Sequence, residues 1–245
     1  MKYRLNPQYA HFKDDLIGVA SHFDASSHSI HKARNELRIA TMQGTKVVIK
    51  AFKVPHFINR FAYTFLRDGK AKKSFQNALR LQRLGVPTPA PVGYIEFFSG
   101  GLLAQSYFLS LYSPYDFTIR EAFHHKIEDH REVISAFAAF TYGLHQKGVW
   151  HVDYSPGNIL ITRESDGYRF SLVDINRMRF APVSGYEGLA NFSKFWAKEE
   201  DLRLMARTYA ELAGLDAKRA EAVALEQERK LRKKTEFKRR LKSKR

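Results

Sequence analysis

The chain contains no cysteine. Disulfides, thiolate metal sites and cysteine nucleophiles are therefore excluded, and a reducing compartment is compatible with the composition. Long apolar runs are missing too. The best, Val133–Phe140 (VISAFAAF), reads as part of a buried helix, far short of the roughly 18 residues a membrane helix requires. The opening residues, MKYRLNPQYAHFKDDL, carry charges and a proline where a secretory signal has an apolar core. The cytoplasm is the expected location, peripheral on the inner membrane if the chain rests on a membrane surface.

Acid is scarce relative to base. The 245 residues carry 41 Lys and Arg against 25 Asp and Glu, a net charge of +16. Arg229–Arg245 (RKLRKKTEFKRRLKSKR) holds eleven of the bases and one Glu, hence +10, which leaves +6 for the other 228 residues. Such a block is a separable electrostatic element whose target is anionic: phospholipid head groups, nucleic acid or a phosphorylated glycolipid. The alternative is a solvated helix end that only aids solubility. With 44% hydrophobic and 27% charged residues, the rest is ordinary globular protein, long enough for one large domain or two lobes.

Hydrophobic spacing gives an order of elements. Asn35–Thr41 and Lys46–Phe52 read as a hairpin around Met42–Gly44. Gly69–Leu84 has its apolar residues at helical spacing, with Gly85 as a stop. Val92–Phe98 and Leu102–Tyr112 read as strands joined by Ser99-Gly100-Gly101. The second half is mostly helical: Thr118–His125, Asp129–Gln146, Glu187–Trp196 and Glu199–Ala213, with short strands at Val149–His151, Asn158–Thr162 and Arg169–Asp174. This is an α+β pattern in two lobes. The expected division is a strand-rich N-lobe over 1–108, a hinge over 109–114, a helical C-lobe over 115–228 and the basic tail over 229–245.

One stretch concentrates chemistry. In HVDYSPGNIL, His151, Asp153 and Asn158 fit H-x-D-x4-N; Asp174 ends the next strand-like run and Lys50 ends VVIK upstream. These pieces, in this order, match the protein-kinase-like signature set. Phosphoryl transfer is mostly positioning and electrostatics, because charge is spread over the transferred group. A carboxylate must orient the acceptor hydroxyl and take its proton, the role expected of Asp153. Asn158 and Asp174 offer the oxygen ligands that suit Mg²⁺, and Lys50 is the cation for the α/β-phosphates of ATP. His151 is expected to hold the loop. Singly, each residue is an ordinary turn acid, strand lysine or cap; jointly they indicate a bilobal protein-kinase-like fold.

The sequence also resembles a narrower group. HVDYSPGNILI followed by LVDINRMRF, the passage KAKKSFQNALRLQRLGVPTPAPVGYIE, and IHKARNELRI before VVIKAFK are similar to the lipopolysaccharide core kinases, the heptose and Kdo kinases. The resemblance covers about residues 28–213. It implies ATP-dependent phosphorylation of a sugar hydroxyl on the lipid-A inner core at the cytoplasmic face of the membrane. Carried onto this chain, it makes Lys50 the ATP lysine, Asp153 the base, and Asn158 and Asp174 the metal ligands, with Leu111 and Ser113 in a hinge that meets adenine through backbone groups. Ser155, where protein kinases usually carry lysine, and the absence of an APE-like motif before Glu187 fit a sugar or glycolipid acceptor better than a protein.

The chain departs from the pattern in two places. No G-x-G-x-x-G loop precedes Lys50, which leaves Ser26–Asn35, with Lys32 and Arg34, as a cover for the phosphates. No acid lies between Asp68 and Glu96, so the helix that should supply a glutamate partner for Lys50 offers Ser74, Gln76 and Asn77. Gln76 or Asp68 are the substitutes in view. The missing glutamate keeps a second reading open, a pseudokinase that binds a partner or membrane. The basic tail keeps a third, a nucleic-acid-associated protein, which ranks below the others. The ten histidines, His124 and His125 included, show no metal-binding spacing with carboxylates.

Overall fold

The computed structural model describes residues 1–26, 29–32, 35–53 and 67–243, and of residues 30–32, 242 and 243 the backbone alone. Arg34 and the side chain of Lys32, proposed to cover phosphates, lie outside the described residues. The chain forms two compact units, Met1–Pro114 with Asp174–Asn176, and Tyr115–Val173 with Arg177–Arg245.

The first unit is built on a six-stranded antiparallel sheet. Its strands are β1 (Lys2–Leu5), β2 (Ser29–Lys32), β3 (Asn35–Met42), β4 (Thr45–Phe52), β5 (Pro91–Ser99) and β6 (Leu102–Leu111), in the order β1-β5-β6-β4-β3-β2. Two of its turns are two residues long, and all four turn residues have positive φ: Gln43 at 46° and Gly44 at 77°, Gly100 at 57° and Gly101 at 76°. That backbone matches the right-handed twist of the strands it joins.

Alternation along β4 splits the sheet into two faces. Val47 and Ile49 join Ala40, Met42, Ile95 and Leu109 in a core closed by Phe12, Leu16, Val19 and Phe23. The last four come from a 3₁₀ turn (Pro7–Phe12), α1 (Lys13–Ile17) and α2 (Val19–Ala25). Over the opposite face lies α3 (Lys70–Arg83), whose Phe75 ring meets Tyr94 of β5 at 5.6 Å. Gly85, at φ 63°, follows the cap residue Leu84 of α3, in the backbone conformation that commonly ends a helix.

The second unit contains β7 (Phe117–Thr118), α4 (Ile119–Phe123), α5 (His130–Gln146), β8 (Val149–His151), β9 (Ile159–Glu164), β10 (Gly167–Leu172), β11 (Met178–Phe180), α6 (Glu199–Ala213) and α7 (Ala217–Ser243). Thr118 and Glu121 form a capping box at the start of α4. Phe137 of α5 is fully buried, its ring against those of Phe123, Tyr154, Phe170, Phe192 and Phe195. Truncating such a residue to alanine costs about 3–5 kcal/mol, so this aromatic cluster is the unit's main anchor. Among the described residues, no helix is long and apolar enough to cross a membrane.

Several elements differ from the sequence reading. Strand β1 and helices α1 and α2 were not expected; each is too short for periodicity to register. The expected helix over 187–196 is a 3₁₀ segment, Gly185–Phe195, that ends with Trp196 in the left-handed region at φ 53°. The described part of the basic tail continues a helix: α7 runs for 27 residues, from Ala217 to Ser243.

Candidate active site

Lys50 sits on β4 between Leu37 of β3 and Phe108 of β6, on the α3-facing side of the sheet. It is buried, with 7% of its surface exposed. A buried lysine needs a counter-charge, and the acid it meets is Asp174: Nζ donates to Oδ1 at 2.5 Å. Neither Gln76 nor Asp68 serves. Asp68 pairs instead with Lys72, one helical turn along, at 2.6 Å. Asp174 itself has φ 55°, a conformation that aspartate tolerates better than most residues. The next residue is tied to α3, where Asn77 Nδ2 donates to the Ile175 carbonyl at 2.7 Å. Helix α3 thus contributes an amide to this segment and no carboxylate.

Of the proposed hinge residues, Leu111 donates its N–H to Ala90 O at 2.8 Å. Tyr112 donates to Lys46 O at 2.9 Å, and Ser113 follows beyond the end of β6, half-buried.

In the second unit the loop after β8 is held at nearly every residue. His151 Nε2 meets Val173 O at 3.0 Å; the carbonyl can only accept, so this nitrogen carries the proton. Val152 N–H donates to Arg177 O at 3.0 Å, and its carbonyl accepts from Lys194 Nζ. Tyr154 is buried beneath the loop, its hydroxyl against Thr141 Oγ1 at 2.9 Å, and burial drives its pKa well above the ordinary phenol value. A short 3₁₀ turn (Pro156–Asn158) follows. There Asn158 Nδ2 donates to the Asp153 carbonyl at 2.8 Å. Across the five residues that separate them, the amide clamps the acid's main chain.

The Asp153 carboxylate remains about one-third exposed, with Arg177 Nη1 3.3 Å from Oδ2 and Lys194 Nζ 3.9 Å from Oδ1. Nothing in the linear spacing pointed to Lys194, which comes from the 3₁₀ segment Gly185–Phe195. A buried polar chain supports the loop from below. Asn191 Nδ2 donates to His151 O at 3.2 Å, and Asn191 Oδ1 lies 3.0 Å from His145 Nε2. His145 Nδ1 in turn lies 2.9 Å from the Tyr209 hydroxyl. The Asn191 oxygen can only accept, so His145 carries its proton on Nε2 and accepts from Tyr209 on Nδ1. Burial lowers the His145 pKa and pushes that of Tyr209 up to about 12. Gly188 makes room for this contact: a methyl group there would lie 2.1 Å from Tyr209 Oη and 2.8 Å from His145 Nδ1.

The fold also gathers His125 with Glu200 and Asp201, ligand atoms within 4.8 Å of one another, a grouping far apart in sequence and invisible to spacing. Lys198 Nζ lies 3.0 Å from His125 Nδ1 and Asp201 Oδ2 2.9 Å from Nε2. A lysine on one ring nitrogen and a buried acid on the other make this a hydrogen-bonded brace at the start of α6.

The structure thus brings Lys50 to Asp174 in one unit and Asn158 to Asp153 in the other. Asn158 in one unit and Asp174 in the other each offer an oxygen of the hard kind that suits Mg²⁺.

No curated protein matches the chain in sequence. Among solved structures, WaaP in complex with acyl carrier protein aligns over 95% of this chain and 99% of its own, with 20% identity and a TM-score of 0.60. That likeness shows the fold. WbdD aligns over 82% of this chain and 50% of its own, at 15% identity and a TM-score of 0.49. A mutant PknI kinase domain from Mycobacterium tuberculosis aligns over 79% and 75%, at 16% identity and 0.42. The model of the lipopolysaccharide kinase (Kdo/WaaP) family matches residues 53–207, more than half of the 245. The chain has the bilobal, mixed-strand-and-helix kinase-like fold and belongs to the Kdo/WaaP family of lipopolysaccharide kinases.

Proposed function

We propose that this kinase uses ATP and Mg²⁺ to phosphorylate a sugar hydroxyl of the lipopolysaccharide inner core. The observation that carries the reading is the clamped loop, in which Asn158 holds the Asp153 main chain while the carboxylate stays open to solvent. In this mechanism Asp153 orients the acceptor hydroxyl and receives its proton as the new O–P bond forms, while the bond from the γ-phosphorus to the β–γ bridging oxygen breaks and ADP leaves. Lys50 pairs with the α/β-phosphates of ATP, and Leu111 and Ser113 meet the adenine through backbone groups. Asn158 and Asp174 hold the magnesium, which supplies charge neutralisation at the phosphates. His151 does no chemistry; it ties the loop to Val173.

The pseudokinase reading rested on the absence of a glutamate from α3. The carboxylate that meets Lys50 instead is that of Asp174. The deciding experiment is transfer from γ-labelled ATP to inner-core glycolipid, free sugars and a generic protein, with wild type and Asp153→Asn side by side and with chelator as the magnesium control. Label in the glycolipid that disappears in the variant and with chelator is expected. Nucleotide binding without label on any acceptor would favour the pseudokinase.

The basic end of α7 is assigned to the anionic inner-membrane surface, in keeping with a glycolipid acceptor. Arg229–Leu241 are almost all exposed, and Phe237 and Leu241 stand one turn apart among the cations, 63% and 52% exposed. Exposed apolar groups among lysines and arginines, one of them the aliphatic Leu241, suit a lipid interface.

A further inference from the structure

We propose that Arg177 and Lys194 form an anion subsite beside Asp153, which receives a phosphate or carboxylate carried by the acceptor sugar close to the reacting hydroxyl. The inference rests on the reading of Asp153 as the group that orients that hydroxyl, and it narrows the substrate to an acceptor that is itself anionic.

Charge balance is the first argument. Among the described residues, Asp153 is the one carboxylate within ion-pair reach of either cation. Two positive charges therefore face one negative charge, and the spot carries a surplus. The neighbouring Arg179 is already matched, since its Nη2 meets Glu187 Oε1 at 2.5 Å. Geometry is the second. Neither contact with Asp153 is a tight pair: 3.3 Å for Arg177 and 3.9 Å for Lys194, the latter longer than a hydrogen bond. Both side chains keep free surface, 55% for Arg177 and 36% for Lys194. The guanidinium fork matches carboxylate and phosphate oxygens two at a time, and the ammonium adds a compact point charge.

Position is the third argument. The Arg177 carbonyl accepts from Val152 N–H, and Lys194 Nζ donates to the Val152 carbonyl. The Arg177 main chain and the Lys194 ammonium are thus tied to the residue just before Asp153, which sets both residues beside its carboxylate. Whatever hydroxyl reaches that carboxylate brings its substituents within a few ångströms of both cations. The nucleotide's phosphates have their own cation in Lys50. Cations bound to the Asp153 loop serve the acceptor.

The test is calorimetric binding of a deacylated inner-core oligosaccharide, which carries phosphates and carboxylates, compared with its phosphatase-treated and its carboxyl-reduced forms. Wild type is expected to bind the native form at least about tenfold tighter than one of the neutralised forms, the gap expected for one charge-assisted contact. The form that loses affinity identifies the group. In the Arg177→Gln/Lys194→Gln protein the gap should shrink to within about twofold. Equal binding of all three forms by wild type, or a gap that survives in the double variant, overturns the subsite. Transfer from ATP, followed on the same samples, separates the two ideas. Transfer without a binding gap keeps the kinase and removes the subsite; a gap without transfer does the reverse.

Discussion

Lys50 and Asp174 form a 2.5 Å ion pair, and both belong to the same compact unit although 124 residues separate them. The lysine is buried and the aspartate about one-third exposed. Removing either partner has two effects. Asp174→Asn leaves a buried cation poorly matched and should lower stability by about 1–3 kcal/mol, less than for a fully buried pair. It should also cut phosphate transfer by about 10²–10³-fold, as loss of one preorganised electrostatic group does. Urea titration and single-turnover transfer measure the two separately.

Asn77 gives α3 a hold on the residue after Asp174. Asn77→Ala removes one hydrogen bond, worth about 1 kcal/mol, and frees Ile175. Transfer should fall more than stability does. A kcat reduced about tenfold with a thermal midpoint lowered by only about 2–4 °C is the expected result, and a variant that loses stability alone would count against the positioning role.

Gly188→Ala places a methyl group on Tyr209 and His145. Overpacking of this kind costs about 1–3 kcal/mol. Tyr209→Phe in the same protein removes the hydroxyl and should restore part of the loss in a thermal melt.

His145 is held neutral by burial. Its folded pKa lies below the unfolded value of about 6.5, so the unfolded chain takes up the proton first. Stability should therefore decline as pH falls below about 6.5, with the decline continuing toward the lower folded pKa. Glu96 behaves oppositely. Burial raises its pKa, so the carboxyl favours the fold when protonated and costs stability as pH rises through its folded value. Glu96→Gln should raise the urea midpoint at pH 8 relative to wild type and leave it unchanged at pH 4. His145→Gln should flatten the loss between pH 7 and 5.

Truncation after Arg232 removes most of the basic end while keeping the contacts of Arg232 with Glu228 and Trp196. Sedimentation with vesicles rich in anionic lipid should fall to the level seen with neutral vesicles. Binding by the full chain should weaken steeply with salt, because the exposed charges are screened.

Much of this architecture was legible in the sequence where a local rule decides it. The turn at Gln43–Gly44, the amphipathic run ending at Gly85 and the spacing from His151 to Asn158 each write their structure in neighbouring residues. The family followed from the same motifs. What stayed hidden depends on distant partners. Nothing near Lys50 announces that its carboxylate comes from Asp174 rather than from α3. Lys194 reaches the Asp153 loop only because the 3₁₀ segment packs there, and His145, Asn191 and Tyr209 meet across three separate elements. Short N-terminal helices escaped because five to seven residues hold too few turns to show a period.

Helix α7 turns the basic end into a rigid rod. At 1.5 Å per residue, its 27 residues span about 40 Å, and the exposed stretch beyond Glu228 accounts for about half of that. A flexible tail of the same length would let its charges wander through a sphere, with a search radius and no preferred distance. The helix instead gives its cations a defined reach. Whatever surface they settle on is thereby kept at a set standoff from the body that carries them, and the length of α7 becomes a ruler: inserting or deleting a whole turn beyond Arg232 would change that distance.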